Sequence, residues 1–194
     1  MQRTGLQREA IENLVRAGAL DSLVTTRRDA IAEVGLYYRP KSAQLPLQLP
    51  VGQDRLLLPA QTTWEMMEDE YRSLGFYPRG HIMEMLRQEL DDRIATSQDI
   101  IDLPDGTAVT VAGLVVRRQR PLGKAVYMTL EDECGHSPLV VWPQVYKRLR
   151  LVLRESLLVV RGTVKRQEGT MNILVQQARS LKGLNKLPPS KNWA

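Results

Sequence analysis

The sequence predicts an α+β chain, with helices in its first half and a small five-stranded barrel in its second. Three observations carry this. The apolar period changes from 3.6 to 2 residues at the turn Pro104-Asp105-Gly106. The charge changes sign at the same point: residues 1–105 hold 12 basic and 17 acidic side chains, and residues 106–182 hold 13 and 5. The net charge of +5 therefore averages an acidic half and a strongly basic one, and the basic half is the candidate polyanion binder. Between the first two helical segments and the rest, residues 38–62 follow neither period. Pro40, Pro46, Pro50 and Pro59 recur there, disfavouring both helix and central strand and predicting an extended linker.

The helical elements follow from spacing and caps. Ile11, Leu14 and Val15 line one face of a helix over 7–17, which Gly18 terminates in the left-handed conformation. Thr26 caps a second helix carrying Ala30, Ile31 and Val34, so the two form a helical hairpin around AGALDSL. Thr62 with Glu65 forms a capping-box pattern ahead of Trp64, Met67, Tyr71 and Leu74, and Gly75 closes that helix. A short helix over Ile82–Leu90 follows the turn FYPRGH.

Beyond Gly106, TAVTVAGLVVRR reads as a long first strand with Gly113 at a bulge or sharp bend. KAVYMTLE alternates, with Val126, Met128 and Leu130 on one face and Tyr127, Thr129 and Glu131 on the other. DECG turns into a third strand, SPLVVW, and PQVYKRLR forms a short helix. A fourth strand over Ser156–Lys165, the hairpin turn RQEGT and a fifth strand MNILVQQA complete the order. Three meandering strands, a helix and a closing hairpin make the element order of an OB-fold barrel. An SH3-like barrel fits the strand count but not the helix between the third and fourth strands.

The composition restricts function. Two histidines and one cysteine are too few to build a triad or thiol enzyme readily. Glu131, Asp132, Glu133, Cys134 and His136 match no closed zinc spacing, and DECG reads as a turn. Adjacent Asp91 and Asp92 point about 100° apart on a helix, and no Gly-rich phosphate loop is present. We therefore expect no catalytic residues, no metal and no cofactor. The single Cys134 and the absence of a long apolar run or signal-peptide pattern lead us to expect a cytoplasmic chain with no membrane partner.

An OB barrel presents its ligand groove across the second and third strands, between the loop joining strands one and two and the loop joining strands four and five. Charge concentrates at both loops. Arg117, Arg118, Arg120 and Lys124 border the first, and Lys165 and Arg166 open the second. These are the candidate phosphate contacts, with Tyr127 as a stacking ring. Trp142 and Tyr146 are the other rings near the groove, and both read as core. A narrow groove with a few rings suits a single strand better than a duplex.

The segments AVTVAGLVVRRQRP, VYMTLEDECG, VVWPQVYKRLR and EYRSLGFYPRGHIM resemble the C-terminal part of the bacterial C-family DNA polymerase, the polymerase III alpha subunit, and most closely its error-prone branch. GLQREAIENLVRAGALDSL resembles the end of that family's helix-hairpin-helix region, and the resemblance runs over about residues 4–181. It implies five parts: a helix-hairpin-helix-like region at 1–37, the linker at 38–62, a helical connector at 63–105, the OB domain at 106–182 and a tail at 183–194. It also implies that the OB domain meets single-stranded template, through Arg117, Arg118, Arg120, Lys124 and Tyr127. The family's palm aspartates precede the matched region, so the chain is expected not to polymerise DNA alone. Gln44-Leu45-Pro46-Leu47-Gln48 sits where replicative members carry a clamp-binding motif but lacks its terminal aromatic, which argues against direct clamp binding. The expected function is single-strand binding within an error-prone polymerase used in damage-tolerant synthesis. The expected partners are single-stranded DNA and the remainder of a polymerase or its accessory proteins. Two alternatives stand beside it: an assembly module acting through protein contacts, and an RNA- or tRNA-binding OB protein.

Overall fold

A computed structural model describes residues 5–38, 58–121, 125–181 and 191–193. Most of the Pro-rich linker with Gln44–Gln48, the loop residue Lys124 and most of the 183–194 tail lie outside the described residues. The chain forms two compact units, Met1–Phe76 and Tyr77–Ala194, a division that falls within the 63–105 connector.

The first unit holds α1 (Arg8–Arg16), α2 (Arg27–Tyr37) and α3 (Thr63–Leu74). Their apolar stripes meet through Ile11, Val15, Ala30, Val34, Met67 and Tyr71. The caps expected from sequence are in place. The Thr62 hydroxyl accepts from the Glu65 N–H at 3.2 Å, and the Glu65 carboxylate accepts from the Thr62 N–H at 2.8 Å. Gly18 adopts φ +77°, as its position past α1 predicts. A second reason for glycine there is tertiary: a Cβ would lie 2.3 Å from the Arg27 guanidinium. That guanidinium is the unit's polar centre. It donates to Asp21, to Glu70 and to the Arg16 carbonyl, joining the ends of α1 and α2 to the middle of α3.

In the second unit α4 (Ile82–Arg87) is shorter than the 82–90 helix expected. Glu89 and Leu90 bond back three residues, to Leu86 and Arg87, which tightens the last turn and ends it. The barrel follows as β1 (Ala108–Gln119), β2 (Val126–Glu131), β3 (His136–Val141), α5 (Pro143–Leu149), β4 (Leu157–Gln167) and β5 (Thr170–Ser180). β1 pairs antiparallel with both β2 and β4, β2 with β3, and β4 with β5, while β3 and β5 pair in parallel and close the ring. This is the five-stranded OB barrel that the sequence predicts. A three-residue strand, β6 (Lys191–Trp193), runs parallel to β1 at Arg117–Gln119, within the segment expected to be tail.

Alternation decides the core. Val109, Val111, Met128, Leu130, Leu139, Val141, Leu158, Val160, Ile173 and Val175 point inward, and Leu153 and Ile100 close the barrel. The bulge expected at Gly113 is instead between Val115 and Arg117, where the register against β2 shifts. Gly113 serves close approach: a Cβ there would meet the Glu131 carbonyl oxygen at 2.7 Å.

The connector from Tyr77 onward is built into the barrel. Ala95 N–H donates to the Thr110 carbonyl at 2.8 Å, and Ile100 is fully buried among the strand side chains. The DECG turn supplies the tightest anchor. Asp132, buried, accepts from Ser97 N–H and Ser97 Oγ, both at 2.6 Å, and from the backbone N–H groups of Cys134 and Gly135. Next to it Glu133 pairs with Arg87 of α4 at 2.6 Å. The acidic residues that superficially suggested metal ligands thus include two that fasten the connector to the β2–β3 turn.

Candidate nucleic-acid interface

The outer face of β2 and β3 is defined by cross-strand pairs. Tyr127 lies opposite Val140, Thr129 opposite Pro138 and Glu131 opposite His136. β1 continues the face on its other side, with Gln119 opposite Tyr127 and Arg117 opposite Thr129. Directly opposed residues share a face, so Arg117 and Tyr127 are diagonal neighbours on one surface, about 7–8 Å apart. Tyr127 is 44% exposed, and Arg117 is exposed with no hydrogen bond or ion pair to the described residues.

Trp142 belongs to this face as well. It follows β3 with extended backbone, φ −65° and ψ 151°, so the alternation that points Val141 inward places Trp142 on the Val140 side. It is 54% exposed, which corrects the expectation that it completes the core. The sequence held the signal: in VVW the tryptophan has the parity of Val140, the partner of outward Tyr127. Tyr146 is half-buried and packs against the barrel core, as expected for that ring.

The remaining predicted residues divide by what already holds them. Arg118 opposes inward-facing Met128, and its Nη2 donates to the Glu155 carbonyl at 2.6 Å. Burial pulls its guanidinium below the ordinary arginine value, with Tyr146 and Glu155 acting in the opposite sense. Arg120 is exposed and stacks over Tyr146, its guanidinium carbon 4.8 Å from the ring centroid. Lys165 pairs with Asp105 at 3.0 Å. The Arg166 backbone N–H donates to Asp105 at 2.7 Å, and its guanidinium donates to the carbonyls of Leu103 and Ile101. These bonds from the Arg166 N–H and Lys165 hold the Asp105 carboxyl below its usual value. Lys165 and Arg166 thus tie the start of the β4–β5 hairpin to the segment entering β1. Arg117, Tyr127 and Trp142 are the members of the predicted neighbourhood that the fold brings together on one open surface.

An OB barrel with exposed rings on the face of its second and third strands, and an arginine beside them on the first, defines a class of nucleic-acid-binding domains, and residues 109–181 match the family model described as an OB-fold nucleic acid binding domain. Beyond the barrel, the chain is similar to proteins named error-prone DNA polymerase. It is 36% identical over 185 residues to that of Anaeromyxobacter sp. (strain K), covering 93% of this chain and 16% of the relative. It is 33% identical over 186 residues to that of Caulobacter vibrioides, covering 91% and 17%, and 34% identical over 196 residues to that of Cutibacterium acnes, covering 98% and 17%. The resemblance to the error-prone branch therefore holds across the helical half as well as the barrel, and the chain spans about a sixth of the length of these relatives.

Proposed function

We propose that this chain binds single-stranded DNA across the β2–β3 face and holds template strand for damage-tolerant synthesis by an error-prone polymerase. One observation carries the reading: Tyr127 and Trp142, two large rings, stand exposed on the same surface as Arg117, which makes no hydrogen bond or ion pair with the described residues. Exposed rings on a barrel face cost hydration in the free protein and gain stacking when a base covers them. Arg117 offers two N–H groups to a phosphate beside the stacked base. The similarity to error-prone polymerases supports DNA as the strand and template handling as its setting. Chemistry is not assigned to these residues, so the chain alone is expected to incorporate no nucleotide on a primed template with magnesium.

The test is a titration of the full chain with fluorescent oligothymidylate and with oligouridylate of equal length at several salt concentrations. Preferred binding of the DNA strand, with an Arg117→Ala variant lowering the log-log salt slope by about 0.7, is the expected result. Preference for the RNA strand overturns DNA as the ligand, and an unchanged slope overturns Arg117 as a phosphate contact. A second reading, assembly through protein contacts, draws on the first unit, where Leu23 and Tyr37 are strongly exposed. It replaces the first if no oligonucleotide binds and residues of that unit mediate capture of a purified polymerase subunit.

A further inference from the structure

A second cluster of arginines lies on a different side of the barrel. Arg161 of β4 opposes Thr110 of β1 and Gln177 of β5, and Arg179 of β5 opposes Val159 of β4. The four positions 159, 161, 177 and 179 therefore share the outer face, with Arg161 and Arg179 as diagonal neighbours about 7–8 Å apart. Both are exposed, and neither makes a hydrogen bond or ion pair with the described residues. They line a cleft of about 620 Å³ whose opposite wall is the connector, including Arg93 and Ala95. Arg93 is almost fully exposed, and its nearest carboxylate, Asp91, is 4.0 Å away. The cleft thus gathers three guanidinium groups against one carboxylate, and the Thr110 side chain adds a hydroxyl to its floor.

This arrangement differs from the loop cations singled out by sequence. Arg118, Lys165 and Arg166 donate to carbonyls or to Asp105, whereas Arg161 and Arg179 make no hydrogen bond or ion pair with the described residues. Two like charges placed side by side on one face repel each other, and an anion between them removes that cost. A phosphodiester supplies such an anion, and its two non-bridging oxygens accept the paired N–H groups of a guanidinium.

We infer that the β1–β4–β5 cleft is a second phosphate-binding lane, in which Arg161 and Arg179, with Arg93 on the rim, hold the sugar-phosphate backbone of the strand that the β2–β3 face binds by stacking. The inference rests on the single-strand reading above and extends it to where the strand goes. The cleft has no exposed ring among the residues named, so it grips backbone without stacking on bases and adds affinity without sequence preference.

The experiment uses the full chain and a labelled oligothymidylate of about 20 nucleotides, longer than the ~4–16 that one OB fold covers. The variants are Tyr127→Ala, Arg161→Ala with Arg179→Ala, the same arginine pair to Lys, and a control pair, Arg150→Ala with Arg154→Ala, exposed arginines outside the cleft. Thermal melting checks that each variant folds. The alanine pair should lower the salt slope by about 1.4, two contacts at ~0.7 each, while the lysine and control pairs keep it. If the wild type binds and Tyr127→Ala weakens it, but the alanine pair leaves the slope unchanged or the control pair lowers it equally, the lane is refuted and the β2–β3 reading stands. If the wild type does not bind the oligonucleotide, both readings fall.

Discussion

Two sites with buried polar atoms show what single side chains contribute. Arg27 and Glu70 have side chains 4% and 1% exposed and meet at 2.6 Å, with Asp21 completing the set. The Asp21 hydrogen bond, and after it that of Glu70, holds the Arg27 pKa above its ordinary value against the opposing effect of burial. Removing one partner of such a pair leaves the other charge poorly compensated in a desolvated site. Glu70→Gln should therefore cost about 3 kcal/mol, measured by urea denaturation. His81 is the other case. Its Nδ1 accepts the Met83 N–H at 3.1 Å and caps α4, while its Nε2 is buried without a partner among the described residues. Burial lowers its pKa below 6.5, against the smaller opposing pull of Glu131, Glu133, Asp132 and Glu84. A depressed folded pKa means that the unfolded chain binds the proton first. The stability due to neutral His81 is complete above about pH 6.5 and is lost as pH falls through that value toward the folded pKa. Urea midpoints at pH 7.5 and pH 5 should separate more for the wild type than for His81→Asn, which keeps a capping acceptor and does not titrate. Equal separations would contradict the assignment.

At the scale of elements, the strands were legible because alternation is a local property. Val126, Met128 and Leu130 point inward as their spacing predicts, and the helix between the third and fourth strands identifies the barrel. Three features needed contacts distant in sequence. The role of Gly113 depends on the Glu131 carbonyl passing beside it. The internal bonds of Arg118, Lys165 and Arg166 depend on carbonyls and a carboxylate tens of residues away. Asp132 looked like a turn residue and is one, but its partners at Ser97 make it the joint between connector and barrel. Asp132→Ala leaves buried N–H and hydroxyl donors without an acceptor, at about 1–3 kcal/mol for each group left unsatisfied. A fall in stability of roughly 3 kcal/mol is expected, with Asp132→Asn intermediate. A loss of only a few tenths would show that water replaces the carboxylate. Trp142 is the one ring whose exposure the alternation carried and the core reading missed.

For the whole molecule, the charge boundary at residue 105 and the unit boundary at Phe76 differ: residues 1–76 hold 9 basic and 10 acidic side chains, and residues 77–105, which fold with the barrel, hold 3 and 7. Helices fill the Met1–Phe76 unit, and the basic barrel with its connector fills Tyr77–Ala194. Hydrogen exchange should place the effect of Glu70→Gln on amides of the first unit and that of Asp132→Ala on amides of the second. Loss of protection spread equally over both units by either variant would contradict this division. The sequence similarity spans both units, so the pair is carried together in the larger error-prone polymerases. The proposed role of the barrel stands or falls on its open face. Anisotropy of a labelled single strand, titrated with wild type and with Tyr127→Ala/Trp142→Ala, tests that face most directly. Stacking is worth about 1–3 kcal/mol per base, so the double variant should bind at least about tenfold more weakly, with a salt slope close to that of wild type. Unchanged affinity in a folded double variant would contradict the account.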